Sequence, residues 1–181
     1  MTILKPCLSL VAVMAVGTLV GCSTASTKAA DVSDSIRTSL DQAGLKSVTE
    51  TQDRDKGVVT LGGQVSADDD KAQAESIARS FAGHQVVSNQ IAVVPLGVED
   101  AAKKVNADLD KGIESNLDAA LIKARLHESV SYAVKNHVVT LSGDVDSQSK
   151  RTEAEEVASA VLNVYQVVNE LQVKRQRATS N

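Results

Sequence analysis

Three histidines are the residues of this 181-residue chain that could most readily do chemistry. Catalysis needs a nucleophile, a base and a charge-stabilising group within reach of one another. His84 falls in a predicted turn, His127 at a helix end and His137 in a hairpin, and their spacing matches no recognised metal site. The sequence therefore favours surface histidines and a protein that is not an enzyme.

The acidic run Asp68-Asp69-Asp70 and the glycine pair Gly62-Gly63 could also bind ligands. A calcium loop would require a glycine and a distal glutamate after the aspartates, and the sequence has neither in place. The glycine pair is too short for a phosphate-binding loop. We interpret the aspartates as the first turn of a helix, whose positive end they stabilise, and predict no metal and no cofactor.

Composition argues against a nucleic-acid partner. The formal net charge is −4, and the chain has no Trp, one Phe and two Tyr. An acidic chain is not attracted to phosphate backbones, and few aromatic rings are available for stacking on bases.

Cys22 is the residue with the clearest chemical signal. An apolar run from Leu8 to Leu19 follows Lys5, and its length fits a signal-peptide core better than a membrane span. It ends in Leu19-Val20-Gly21-Cys22-Ser23, which resembles the lipobox of bacterial lipoproteins.

The lipobox resemblance implies that residues 1–21 are cleaved off and that Cys22 carries diacylglycerol and a further acyl chain such as palmitate. Ser23 is not an aspartate, so the resemblance implies the periplasmic face of the outer membrane. Residues 22–30 would be a flexible tether. The alternative is an ordinary signal sequence with an incidental cysteine.

One stretch of the chain occurs twice. Val58–Val65 returns eighty positions later as Val138–Val145, and the similarity continues through the alanine-rich segments that follow. The chain therefore contains two copies of one small module. We place them at residues 31–96 and 116–175, with a linker at 97–115 and a polar tail at 176–181.

The apolar spacing predicts the same elements in each copy. In the first copy a helix from Val32 ends before Gly44, residues 48–65 form a hairpin, a second helix ends at Gly83, and residues 87–93 form a strand. This order predicts an α+β fold of two tandem αββαβ modules, each with two helices on one face of a three-stranded mixed sheet. The other face must meet solvent, a partner or the sister module.

The linker has apolar residues at helical spacing, so we predict that it is helical. Gly112 argues against one unbroken helix that continues into the second copy.

Two pairs of residues are predicted to be structural. Gly63 and Gly143 end the repeated strand, where a side chain would clash. Asn89 and Asn169 share strand parity with inward-facing valines, and a buried amide must be hydrogen-bonded. We predict that each asparagine holds a neighbouring turn or bulge.

The first helix of the second copy has two apolar pairs, and only one of them can face the sheet. The pairs are Leu117 with Leu121 and Ile122 with Leu126. Lys123 and Arg125 lie beside them, which is typical of a membrane-surface or partner-helix contact. The alternative is that the linker or the first module covers the second pair.

The valine-rich strand ending in glycine, followed by an alanine-rich helix and by Val86–Ile91 or Gln166–Leu171, resembles the BON domain. Two copies behind a lipobox resemble dual-BON outer-membrane lipoproteins. The resemblance implies the helix, strand, strand, helix, strand order. It also implies a role in envelope integrity under osmotic or other stress, through binding of anionic phospholipid. The alternative is a periplasmic protein-interaction or chaperone-like protein whose targets are envelope proteins.

Overall fold

The computed structural model describes residues 28–174. Cys22, the predicted signal segment, most of the tether and the tail lie outside the described residues. The first module contains α1 (Ser33–Gln42), β1 (Val48–Asp53), β2 (Val58–Val65), α2 (Asp68–Ala82), β3 (Val86–Asn89) and β4 (Ala92–Val93). The rest of the described chain contains α3 (Glu99–Lys123), β5 (Ser131–Lys135), β6 (Val138–Ser142), β7 (Asp144–Val145), α4 (Gln148–Ser159), β8 (Gln166–Asn169) and β9 (Gln172–Val173).

The predicted order of elements is confirmed in both modules. β1 pairs antiparallel with β2, and β3 and β4 pair parallel with β2. The second module repeats this arrangement, with β5 antiparallel to β6, β8 parallel to β6, and β9 parallel to β7. The third strand of each module is thus in two pieces, interrupted just after Asn89 or Asn169.

Each module has its own apolar core. Ile36 and Leu40 of α1 meet Val59 and Leu61 of β2, and α2 contributes only alanines to the buried cluster. Alanine faces let a helix lie close to the sheet. In the second module Leu117 and Leu121 take the places of the α1 residues, and α4 contributes Ala154 and Ala158.

The linker and the first helix of the second module form one continuous helix. α3 runs unbroken from Glu99 to Lys123 and passes through Gly112. The helical linker predicted from the spacing is therefore present, and the helix continues through Gly112 into the second module. A Cβ at Gly112 would have nothing within 4 Å, so this glycine lies on an open side of the helix.

The two modules contact each other through the sheet faces that their helices leave uncovered. Val58, Val138 and Val168 form a small buried cluster between the sheets. Lys56 Nζ lies 2.6 Å from Glu170 Oε2, and Asn136 Nδ2 donates to the Gln90 carbonyl over 2.7 Å. The sister module therefore covers part of the second sheet face.

Within residues 28–174, no helix combines the length and the apolar character that a bilayer span requires.

Candidate functional site

Leu117 and Leu121 are completely buried in the core of the second module. Both side chains point from α3 toward the sheet. Neither can contact a lipid or a partner while the module is folded, so their assignment as contact candidates is wrong. This pair is the one that faces the sheet.

Leu126 is also buried, because α3 ends before it and the chain turns back. The helix stops at Lys123, and Arg125 adopts a left-handed conformation with φ 57°. The Leu126 amide then donates to the Leu121 carbonyl over 2.9 Å, and the Arg125 amide donates to the Ile122 carbonyl. This is a Schellman motif, which normally has glycine at the left-handed position. The predicted helix 117–126 is therefore too long, and Leu126 is not a contact residue.

The remaining three candidates lie together on the surface at the end of α3. Ile122 is 55% exposed, and Lys123 and Arg125 are exposed beside it. We call these three residues the α3 C-terminal surface. One apolar side chain flanked by two cations is suited to the boundary between lipid headgroups and acyl chains.

A second exposed apolar surface lies along the N-terminal half of α3. Val105 and Leu109 share one side of the helix with Val98, the residue just before it, and all three are at least one-third exposed. We call them the α3 stripe. The sequence spacing predicts a helix here, but it does not show that these side chains stay partly exposed in the folded chain.

Asn89 and Asn169 hold equivalent positions in equivalent networks. The Asn89 side chain donates to Glu75 Oε2 over 2.9 Å and to the Lys71 carbonyl, and its Oδ1 accepts from the Ile91 amide. Asn169 makes the same three bonds, to Glu155, Arg151 and Leu171. Each asparagine thus fastens the interruption of the third strand to the second helix of its module.

Glu75 is held as a carboxylate by this network. Burial raises its pKa, but hydrogen bonds from Asn89 and Arg79 outweigh that effect, and the pKa lies below its ordinary value. The Arg79 side chain lies 2.6 Å from Glu75.

Gly63 and Gly143 each lie against the backbone just before the first strand of their own module, at Ser47 and Ser129. Their φ values are 91° and 117°, which L side chains rarely adopt. A Cβ on Gly143 would lie 2.6 Å from the Ser129 carbonyl oxygen, and a Cβ on Gly63 would lie even closer to Ser47. No side chain can be placed at either position without moving the neighbouring strand.

The histidines are not brought together. His84 is exposed after α2, and His127 Nε2 lies 3.0 Å from Asp118. His137 lies in the β5–β6 turn and packs on Tyr165. Among residues 28–174 no group of three or more His, Cys, Asp or Glu residues is arranged to hold a metal.

A family model described as the BON domain matches residues 28–95 and 109–175. The chain belongs to the BON domain family. The second match begins inside α3, so the C-terminal half of that helix is the first helix of the second BON domain, and the N-terminal half joins the two domains.

Among curated proteins, the chain is similar to osmotically-inducible protein Y of Escherichia coli strain K12. The two are 31% identical over 137 residues, which cover 75% of this chain and 67% of that protein. This relative supports the assignment of both domains.

Two solved structures of CdsD, a structural protein of the type III secretion system of Chlamydia trachomatis, are also similar to parts of the chain. One is 10% identical with a TM-score of 0.33 and covers 78% of this chain and 66% of that chain. The other is 13% identical with a TM-score of 0.34 and covers 77% and 90%. TM-scores this low support no conclusion about fold or function.

Proposed function

We propose that this chain is a non-enzymatic lipoprotein on the periplasmic face of the outer membrane. In this proposal its second BON domain binds anionic phospholipid and supports envelope integrity under osmotic stress. The observation that carries the proposal is the α3 C-terminal surface, where Ile122 is exposed close in the chain to the exposed cations Lys123 and Arg125. The Escherichia coli relative is named as an osmotically inducible protein, which supports the stress role.

Lipidation of Cys22 would make a weak contact of this kind effective. Several acyl chains hold a protein on a bilayer essentially permanently. A short tether then keeps the folded domains at high effective concentration near the headgroups. The net charge of −4 gives no general attraction to an anionic membrane, so the attraction has to come from a local surface such as this one.

A vesicle flotation assay tests the membrane contact. The chain from residue 23 keeps every described residue but lacks the acyl anchor, so flotation reports only the protein surface. We expect flotation with vesicles that contain phosphatidylglycerol, and we expect Ile122→Asp to weaken it roughly tenfold or more, because burial of the exposed part of an isoleucine contributes about 1–1.5 kcal/mol and aspartate is repelled.

Val105→Asp is the matched control. Val105 is 55% exposed, as Ile122 is, and lies on the same helix, but it belongs to the α3 stripe. Flotation that survives Ile122→Asp and is lost in Val105→Asp would refute the assignment to the α3 C-terminal surface. Mass spectrometry of the purified lipoprotein tests acylation of Cys22 separately.

The α3 stripe favours a second candidate function, a periplasmic protein-interaction or chaperone-like role. Val98, Val105 and Leu109 present a partly exposed apolar line, which is the kind of surface that a partner helix binds. Absence of flotation with every lipid, together with capture of an envelope protein that Val105→Asp abolishes, would favour this function over lipid binding.

A further inference from the structure

Residues 28–31, at the start of the described chain, are bonded to the β1–β2 turn of the first domain. The Ala29 amide donates to the Arg54 carbonyl over 2.9 Å, and Arg54 Nε donates back to the Ala29 carbonyl over 2.8 Å. Gln52 Nε2 donates to the Ala30 carbonyl over 2.7 Å. We call residues 28–31 the docked segment, because these bonds give it a defined position on the domain.

The Gln52 side chain also joins the docked segment to the first helix. Its Oε1 atom accepts from the Val32 amide over 3.2 Å and from the Ser33 hydroxyl over 3.3 Å. One side chain thus holds the docked segment and the start of α1 against β1. In the second domain the equivalent residues, 108–111, belong to α3, so this arrangement is specific to the first domain.

The contact between the domains brings the β1–β2 turn close to the start of β5. Lys56 of this turn pairs with Glu170, and the Glu170 amide donates to the Leu141 carbonyl over 2.9 Å. The residue after Leu141 is Ser142, which lies opposite Ser131, the first residue of β5.

The start of β5 is also the place where α3 ends. The Val130 amide donates to the Leu126 carbonyl over 3.0 Å, so the residues just before β5 close onto the Schellman motif of α3. The β5–β6 turn lies at the opposite end of the interface, where Asn136 bonds to Gln90. The docked segment and the α3 C-terminal surface therefore lie at the same end of the two-domain unit, which we call the anchor end.

The chain between Cys22 and the docked segment is short. Even a fully extended chain from Cys22 to Lys28 spans only about 20 Å. Without the docking, the free chain would extend to Ser33 and could span about 36–40 Å. An acyl group on Cys22 would therefore hold the anchor end close to the bilayer.

We propose that the docked segment sets the orientation of the protein on the membrane, with the anchor end facing an anionic phospholipid bilayer. This inference rests on the proposed acylation of Cys22 and adds to it which end of the two domains meets the lipid. The acyl anchor attaches this end through the first domain, and Ile122 with its neighbouring cations attaches it through the second. Each contact raises the effective concentration of the other at the bilayer surface.

Energy transfer to the membrane from each end of the protein tests this orientation. The acylated lipoprotein is placed in nanodiscs of phosphatidylcholine and phosphatidylglycerol that carry acceptor-labelled headgroups. Cys22 is blocked by acylation and Cys7 lies in the predicted signal segment, so one introduced cysteine can carry the donor dye.

Each domain offers one exposed position at either end. His84 lies just before β3, beside the β1–β2 turn, and Glu128 follows α3. Lys46, before β1, and Lys135, at the end of β5, lie at the opposite end. Transfer from His84→Cys should exceed transfer from Lys46→Cys about twofold or more, because a strand as long as β1 spans about 17 Å. Transfer from Glu128→Cys should likewise exceed transfer from Lys135→Cys.

Two changes test the role of the docked segment. Gln52→Ala removes the bonds that hold it, so it should reduce the difference between the ends and make the Ala29 amide exchange about tenfold faster. Thr51→Ala, at the exposed neighbouring position of β1, is the matched control and should change neither. An insertion of about twelve Gly and Ser residues between residues 26 and 27 lengthens the free chain without changing a described residue, and it should also reduce the difference.

The outcomes separate this inference from the proposed function. Stronger transfer from the anchor end of both domains, reduced by Gln52→Ala and by the insertion, would support the orientation. Equal transfer from the two ends of either domain, or a difference that survives either change, would overturn it while leaving the acylation of Cys22 standing. A mature chain without acyl groups would overturn both.

Discussion

Replacing Gln166 by alanine is expected to weaken the contact between the two BON domains by about 1–2 kcal/mol. Gln166 belongs to β8 of the second domain, but its side-chain amide bonds to the backbone of β3 in the first. Its Nε2 donates to the Val87 carbonyl over 2.6 Å, and its Oε1 accepts from the Asn89 amide over 3.0 Å. The side chain thus occupies the place of a neighbouring strand on an edge that would otherwise be open.

The magnitude follows from the number and the burial of these bonds. A neutral hydrogen bond contributes about 0.5–1.5 kcal/mol net, and two are lost. Gln166 itself is only half-buried, so water can reach part of the space that alanine leaves and reduce the loss. The buried valine cluster and the Lys56–Glu170 pair remain, so the domains should stay associated.

Native-state hydrogen exchange measures the effect at one atom. Because the Asn89 amide bonds to Gln166, Gln166→Ala should make it exchange roughly 5–30-fold faster, while amides in the centre of β6 change little. Gln166→Glu places a carboxylate oxygen against the Val87 carbonyl, which repels it, so this variant should also accelerate exchange at Asn89. Gln73→Ala, an exposed glutamine on α2, is the control. Unchanged exchange of the Asn89 amide in Gln166→Ala would refute the reasoning.

Two further predictions concern a single domain each. Gly143→Ala should lower the unfolding free energy by about 2–4 kcal/mol, because the alanine backbone is strained and its Cβ clashes with Ser129. Gly112→Ala should raise the unfolding free energy by about 0.5–1 kcal/mol, because alanine favours the helix and has open space there. Equal urea midpoints for the two variants would contradict this geometry. Glu75 has a pKa in the folded state below its ordinary 4.5, so its stabilisation is present above 4.5 and is lost as pH falls through the lower folded value. Glu75→Gln should therefore flatten the loss of stability in that acidic window, and parallel curves for wild type and variant would contradict this.

The duplicated fold could be predicted because the same physical pattern occurs twice. A β-branched run that ends in glycine, followed by an alanine-rich segment, gives the same strand and helix in each copy. The asparagines could be assigned a structural role because a polar residue at an inward-facing strand position must find a partner. In the structure that partner is the second helix of the same domain.

The contact residues at the end of α3 were harder to predict because the helix end carries no glycine. In the first domain Gly44 marks the end of α1 and adopts φ 80°. Arg125 occupies the equivalent left-handed position in the second domain, and arginine gives no sequence signal for such a turn. Helical periodicity alone extends the helix to Leu126 and makes this residue one of the contact candidates, although it is buried.

The contact between the domains could not be predicted at all, since it depends on residues that look like ordinary surface positions. Lys56, Gln166 and Glu170 are polar and lie near turns or strand ends. Nothing in their local pattern distinguishes a bond to the sister domain from contact with water.

The two copies meet through equivalent positions, and their function is best sought where the copies differ. The β-hairpin turn of each domain reaches the residue that follows the shared asparagine of the other domain. Lys56 bonds to Glu170 in this way, and Asn136 bonds to Gln90. These reciprocal contacts hold the domains together without distinguishing them. Arg151 donates to the Asn169 and Leu171 carbonyls, whereas the equivalent residue of the first domain is the shorter Lys71, and α3 extends only from the second domain. Duplication therefore supplies the frame of the two domains, and divergence between the copies supplies the exposed surfaces of α3.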